Sequence, residues 1–243
     1  VTSAPESQDA RAQLRALTQA EPGSRGFAVA RGLPRAENSR AAAVLILFGV
    51  LDSLGSDRDA RSAAVSRDLD VLLLARASTL RSHAGQVAFP GGRVDPGDDG
   101  PVAAALREAW EETGVDPAGV DVIGTLDEIP LEYSRHLVTP VLGWWRHPSP
   151  VRVVDEAESA AVFRAPVAQL LDPANRGVTV MRRDGREWRG PGFLLEHGGE
   201  QYLVWGFTAT LLDGLFNRLG WTERWDGARE LPLPPPSPSE LAR

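Results

Sequence analysis

The chain of 243 residues contains no cysteine and no lysine. Without cysteine there are no disulfides, no thiol nucleophile and no thiolate metal site. Without lysine there is no P-loop, Schiff-base or protein-kinase lysine, and all 26 basic residues are arginine. Long apolar runs are missing too. The longest, Ala41 to Leu51, is well short of the roughly 20 residues a membrane-spanning helix needs. Val1 to Gln19 is polar and holds no signal-type apolar segment. A formal net charge of −7 with no long basic run argues against nucleic acid as a main partner. What remains is 42% apolar and 24% charged, the proportions of a globular protein. The expectation is a cytoplasmic chain with a small-molecule substrate and neither a membrane nor a nucleic-acid partner.

One stretch stands out, Phe89 to Val115, reading FPGGRVDPGDDGPVAAALREAWEETGV. Two glycines follow an apolar segment, an acidic Gly/Pro-rich loop comes next, and a helix is predicted to start near Pro101, whose missing N–H is harmless there. At about 100° per residue, Val102, Leu106, Ala109, Trp110 and Thr113 are expected on a packing side, and Glu108, Glu111 and Glu112 on the other, flanked by Ala104 and Ala105. Solvated helix faces usually mix signs, because like charges at i,i+4 repel. Glu108 and Glu112 are such a like pair. A hard divalent cation, which prefers oxygen ligands and is completed by substrate phosphates, would relieve that repulsion.

These residues resemble the Nudix hydrolases, whose signature ends R-E-(apolar)-x-E-E-x-G-(apolar). Arg107, Glu108, Ala109, Glu111, Glu112, Gly114 and Val115 match that half residue for residue. The first half departs: the expected glycine position holds Arg93, the first glutamate position holds Asp99, and Gly92 fits only with one extra loop residue. In the family that first glutamate usually partners the motif arginine, and Asp98 or Asp99 could do so here. Upstream, LLLARASTLRSHAGQVAFPGG is similar to a narrower signature, LLTxRSx3Rx3Gx3FPGG, of the coenzyme A diphosphatase branch. Arg76, Arg81, Gly85, Phe89, Pro90, Gly91 and Gly92 match in register, while Leu74 and Ala77 depart.

Elsewhere, residues 1–37 read as a polar, peripheral leader with a helix from Asp9 to Ala20. Residues 38–230 form the main domain and 231–243, proline-rich, an unstructured tail. Ala41 to Val50 and Asp70 to Ala75 are predicted buried strands, separated by a polar loop from Ser53 to Asp68. Val120 to Leu126 and Leu137 to Trp145 are further strands, with Asp127 to Arg135 as a loop between them. Pro166 is expected to open a helix ending near Asp172. Asp184-Gly185 marks a hairpin within Val178 to Phe193, and Tyr202 to Leu219 is read as one closing helix.

The resemblance implies an α/β fold, specifically a Nudix-type α/β/α sandwich with a mixed β-sheet. It also implies Mg²⁺ or Mn²⁺ held by Glu108, Glu111 and Glu112, orientation of these carboxylates by Arg107, and Glu158 as a further ligand or base. Gly91 and Gly92 let backbone approach metal and phosphate. Arg76 and Arg81 would bind substrate phosphate, the 3′-phosphate of coenzyme A among the groups they could hold. His83 reads as an ordinary loop residue, and Arg182, Arg183, Arg186 and Arg189 either meet an anionic substrate or solvate the hairpin. The implied reaction is metal-dependent hydrolysis of the diphosphate of coenzyme A and its thioesters to 3′,5′-ADP and 4′-phosphopantetheine. Another nucleoside diphosphate compound, such as ADP-ribose, is the alternative substrate, and a non-catalytic nucleotide sensor the alternative class. A homodimer is compatible with all three.

Overall fold

A computed structural model describes residues 5–21, 38–50, 56–77, 85–131, 134–183 and 185–234. In chain order these form α1 (Pro5–Gln19), β1 (Arg40–Val50), β2 (Leu69–Arg76), β3 (Val87–Ala88), β4 (Gly91–Arg93) and α2 (Gly100–Thr113). Then come β5 (Val120–Thr125), β6 (Ile129–Leu131), β7 (His136–Trp145), β8 (Ser159–Pro166) and α3 (Val167–Leu171). The last elements are β9 (Arg176–Arg183), β10 (Arg186–His197), β11 (Glu200–Val204), α4 (Gly206–Arg218) and β12 (Glu230–Leu231).

The apolar run of β1 is continuous because the strand is buried on both faces. Ala43, Leu45 and Leu47 pack on one side with Ala104, Ala105 and Ala109 of α2. Ile46 and Phe48 pack on the other with Leu14 of α1, Leu170 of α3, Leu212 of α4 and Phe193 of β10. Burial of each such leucine or phenylalanine contributes about 1.5–3 kcal/mol, so both helical layers are held chiefly by these contacts. β1 pairs antiparallel with β2 and parallel with β7, which makes the sheet mixed. A second sheet, in the order β11-β10-β9-β12, adds to the layer opposite α2. The fold is thus a mixed α/β architecture with helices on both faces of the main sheet.

One irregularity positions the glycine-rich segment. β1 and β2 pair from Phe48–Val71 to Val50–Leu69, and further along, FPGG runs between them. Its upstream end pairs with β2 through β3, its downstream end pairs with β1 through β4, and Leu45 N–H donates to Pro90 O at 2.8 Å in the middle. At Gly91 a side chain would collide with the Ala43 carbonyl and Val44 Cα, so only glycine permits this approach.

Several expectations need correction. The N-terminal helix is no peripheral leader: Ala10 and Leu14 are fully buried, Arg11 pairs with Asp121 at 2.5 Å, and Gln13 Oε1 accepts from Trp221 Nε1 at 2.7 Å. The segment from Tyr202 to Leu219 is not one helix. Tyr202 to Val204 pair with Leu195 to Phe193, and the helix begins only at Gly206; over so short a run, apolar spacing alone does not separate strand from buried helix. Within Asp127 to Arg135, Ile129 to Leu131 form a strand despite Pro130; among the described strands it pairs with β7 alone, an edge position that tolerates proline. Leu231, assigned by composition to the tail, is 4% exposed and pairs with Thr179 of β9. Residues 22–37 and 235–243 lie outside the described residues, as do Arg81 and His83.

Candidate active site

The acidic helix α2 starts at Gly100, directly after Asp99, with Pro101 in its first turn, and is closed by Gly114 in the left-handed conformation (φ +73°), its N–H returned to Trp110 O. Its buried residues are Ala104, Ala105, Ala109 and Thr113. The packed face is therefore rotated toward the carboxylates relative to the sequence expectation. Ala104 and Ala105 are small because they lie on the sheet, not because they leave room beside the carboxylates. Trp110, expected to pack, is 58% exposed. Glu108 and Glu112 consequently sit on the rim of the buried face, while Glu111 remains 47% exposed.

Arg107 organises the acidic groups. Its guanidinium forks onto Asp98, with Nε to Oδ1 and Nη2 to Oδ2 both 3.0 Å. Nη1 reaches Glu111 Oε2 at 2.8 Å and Glu108 Oε1 at 3.1 Å, and Nη2 also donates to the Arg93 carbonyl at 3.0 Å. Asp98, whose side chain is 7% exposed, further accepts from the Asp95 N–H at 2.8 Å. Between the two aspartates that sequence left open, Asp98 is thus the partner of Arg107, and Asp99 makes no side-chain cap on α2. The Arg107 bond holds the Asp98 carboxyl below its ordinary value, and the same bond is the main reason Arg107 is raised. Both groups stay charged across the working pH range.

Glu112 and Glu108 meet the glycines from the other side. Gly91 N–H donates to Glu112 Oε2 at 2.9 Å, and a side chain on Gly92 would overlap the Glu108 carboxylate. Burial pushes Glu112 up to about 7, against the Gly91 bond; the charges of Glu108 and Glu158 push the same way, and that of Arg76 opposes them. Glu108 is raised as well, mainly by burial and partly by Glu111 and Asp95. Glu158 belongs to this group through field and position: it is exposed at the start of β8, and its carbonyl accepts from Ala77 N–H at 2.9 Å beside Arg76. Arg76 Nε is buried without a hydrogen-bond partner. Glu108, Glu111, Glu112, Arg107, Gly91, Gly92, Arg76 and Glu158 are therefore gathered in one place. The hairpin arginines are elsewhere: Arg182 and Arg189 bond Glu187 at 3.0 and 3.2 Å, so their charge is already matched.

Two contributors escaped the sequence reading, the Arg93 carbonyl and Asp95, which lies 3.7 Å from Arg107. A loop carrying five residues between β4 and Asp99 has no periodicity that would reveal them. As for a cation, the donor set fits by chemistry: only hard oxygen donors are offered, and two of three carboxylates are ones whose ionised form is disfavoured until a positive charge arrives. As positioned, no three acidic or histidine side chains among the described residues converge on one point, because Glu111 and Glu108 both turn to Arg107 Nη1.

The site is thus a helix that offers three glutamates to a glycine-rich backbone turn, with an arginine clamped by a loop aspartate. Comparison with known proteins gives the class. The NUDIX domain family matches residues 57–184, more than half of the chain. The chain belongs to the Nudix family and is a Nudix hydrolase, an enzyme acting on pyrophosphate bonds. Over 150 residues it is 42% identical to the Nudix hydrolase NudL of Cronobacter sakazakii, covering 62% of this chain and 75% of that one. Nudix hydrolase 15, mitochondrial, of Arabidopsis thaliana is 37% identical over 153 residues, 60% of this chain and 51% of its own. Among solved structures, a MutT/nudix family protein from Enterococcus faecalis aligns with a TM-score of 0.44 at 17% identity, over 78% of this chain and 65% of that one. Nudix hydrolases generally use divalent metals such as Mg²⁺ or Mn²⁺. Among the described residues no helix is long and apolar enough to cross a membrane.

Proposed function

We infer that this Nudix hydrolase cleaves the diphosphate of coenzyme A and its thioesters, in the cytoplasm, to 3′,5′-ADP and (acyl-)4′-phosphopantetheine. The observation that carries this reading is the segment from Leu72 to Gly92, whose Arg76, Gly85 and FPGG match the coenzyme A diphosphatase signature and whose two ends meet the acidic helix, Gly91 at Glu112 and Arg76 within its field.

Glu108, Glu111 and Glu112 would hold Mg²⁺ or Mn²⁺, with Glu158 in reserve. When bound, the cation supplies charge neutralisation of the diphosphate and a lowered pKa for the attacking water. Arg107 keeps Glu108 and Glu111 aimed, and Asp98 keeps Arg107 aimed, so these carboxylates lose little orientational freedom when substrate enters. Gly91 and Gly92 hold backbone within reach of the carboxylates, and Arg76, with its buried donor open, is suited to a diphosphate oxygen, as Arg81 is by its place in the motif. One of the glutamates, or Glu158, accepts the proton of the attacking water.

The test is a turnover panel with Mg²⁺ and with Mn²⁺: coenzyme A, dephospho-coenzyme A, ADP-ribose and a dinucleotide. Preference for coenzyme A supports the reading. Faster cleavage of ADP-ribose or of the dinucleotide replaces it with another nucleoside diphosphate substrate.

A further inference from the structure

Close to the glycine-rich turn, one group of positive charge has no counter-charge among the described residues. The parallel register of β1 and β7 sets Arg40 opposite His136, and the antiparallel register of β1 and β4 sets Arg93 opposite Ala42. Residues opposite one another share a face, and Arg40 and Ala42 are two apart on one strand, so all three side chains emerge on the same side of the sheet. That side is the one away from α2, at the end where β1 and β7 begin. Arg40 and Arg93 are exposed and His136 is half-buried. Among the described residues neither guanidinium makes an ion pair, although the chain carries a net −7. His136 Nε2 is buried and has no hydrogen-bond partner. Burial first, and then the charges of Arg40 and Arg93, hold the imidazole below its ordinary value.

Three side chains on one face, two of them charged and the third with an unpaired buried ring nitrogen that feels both charges, suit an acceptor with several oxygens and negative charge. We propose that Arg40, Arg93 and His136 form a subsite for a phosphomonoester that the substrate carries beside its diphosphate. Two guanidinium forks and one imidazole N–H match the three free oxygens of such a group. The location suits it: Arg93 is two residues along β4 from Gly91, about 7 Å in an extended strand, and Gly91 N–H is bound to Glu112. A diphosphate held by the α2 glutamates and these donors lie on opposite faces of the sheet, so the subsite requires a substrate that turns round β4, whereas Arg76, close to Glu112, is left for the diphosphate itself. The subsite deepens the coenzyme A reading and rests on it only for the identity of the phosphate, the 3′-phosphate.

Two measurements test it separately from that reading. In the first, the histidine side-chain resonances of the full chain are followed by NMR during titration with inorganic phosphate in chelator, against chloride at matched ionic strength. The His136 signal, identified by its loss in His136→Gln, is expected to move saturably while those of His147 and His197 stay. Arg40→Ala should weaken the midpoint tenfold or more. In the second, the ratio of kcat/KM for coenzyme A over dephospho-coenzyme A is expected to fall about tenfold to a hundredfold in Arg40→Ala and in Arg93→Met. A His136 signal indifferent to phosphate, or a ratio unchanged in both variants, overturns the subsite. If the wild type hydrolyses neither compound, the coenzyme A reading falls, and the phosphate titration still decides the subsite.

Discussion

Replacing Glu112 by glutamine should make the metal-free protein more stable while removing its activity. Glu112 titrates near 7 in the fold because burial disfavours its charge, against 4.5 for a free glutamate. A carboxyl whose pKa is raised by folding contributes stability that is fully present below about 4.5 and is lost as pH rises through about 7. Above that pH the ionised group costs up to about 3 kcal/mol, from about 1.4 kcal/mol for each tenfold change in proton affinity. Glutamine keeps an oxygen for the Gly91 N–H but gives up the charge-assisted strength of that bond, so a net gain of about 1–2 kcal/mol is expected at pH 8. In a chain of this length that is several degrees of melting temperature. Thermal unfolding in chelator at pH 8 should rank the variant above wild type, and at pH 4.5 the two should converge. Added Mg²⁺ should then raise the wild type more than the variant, through linkage of binding to folding. A variant less stable than wild type at pH 8 in chelator would refute the view that Glu112 is held in an unfavourable charged state awaiting a cation.

Gly92→Ala puts a methyl group where the Glu108 carboxylate lies; since that side chain is flexible, the fold should survive and turnover should drop about a hundredfold, read as kcat with an unchanged circular dichroism spectrum. Asp98→Ala releases Arg107 and should lower turnover about tenfold to a hundredfold, whereas Asp99→Ala should leave it nearly unchanged; equal effects would mean that Arg107 takes its orientation elsewhere. Leu231→Ala should cost about 2–4 kcal/mol in a denaturant titration, because Leu231 fills the space left by Gly177 and Gly192, while removal of residues 235–243, rich in proline and poor in apolar side chains, should not shift the midpoint.

How far the sequence was legible depended on how local each signal is. The continuous apolar runs of β1 and β2 and the position of α2 were readable, because burial on two faces and a proline-opened helix leave marks within a few residues. The rotation of α2 was not. Its buried stripe is three alanines and a threonine, which weigh little in any apolar count, and Trp110 outweighed them although it faces solvent. Long-range facts were invisible in the same way. Nothing near Leu14 says that it is covered by the rest of the chain, and nothing near Leu231 says that two glycines more than 35 residues upstream make room for it. For the site, the helix motif named its glutamates and Arg107, but the choice between Asp98 and Asp99 required the loop's path. The positive group at Arg40, Arg93 and His136 comes from three separate strands and has no motif at all.

Incubation of coenzyme A with the wild-type chain and Mg²⁺, followed by separation of the products, decides whether this hydrolase cleaves that diphosphate. The expected result is 3′,5′-ADP and 4′-phosphopantetheine in equal amounts, no products in excess chelator, and a loss of two or more orders of magnitude in rate with Glu112→Gln. Intact coenzyme A alongside cleaved ADP-ribose under the same conditions, or undiminished cleavage by Glu112→Gln, would contradict it.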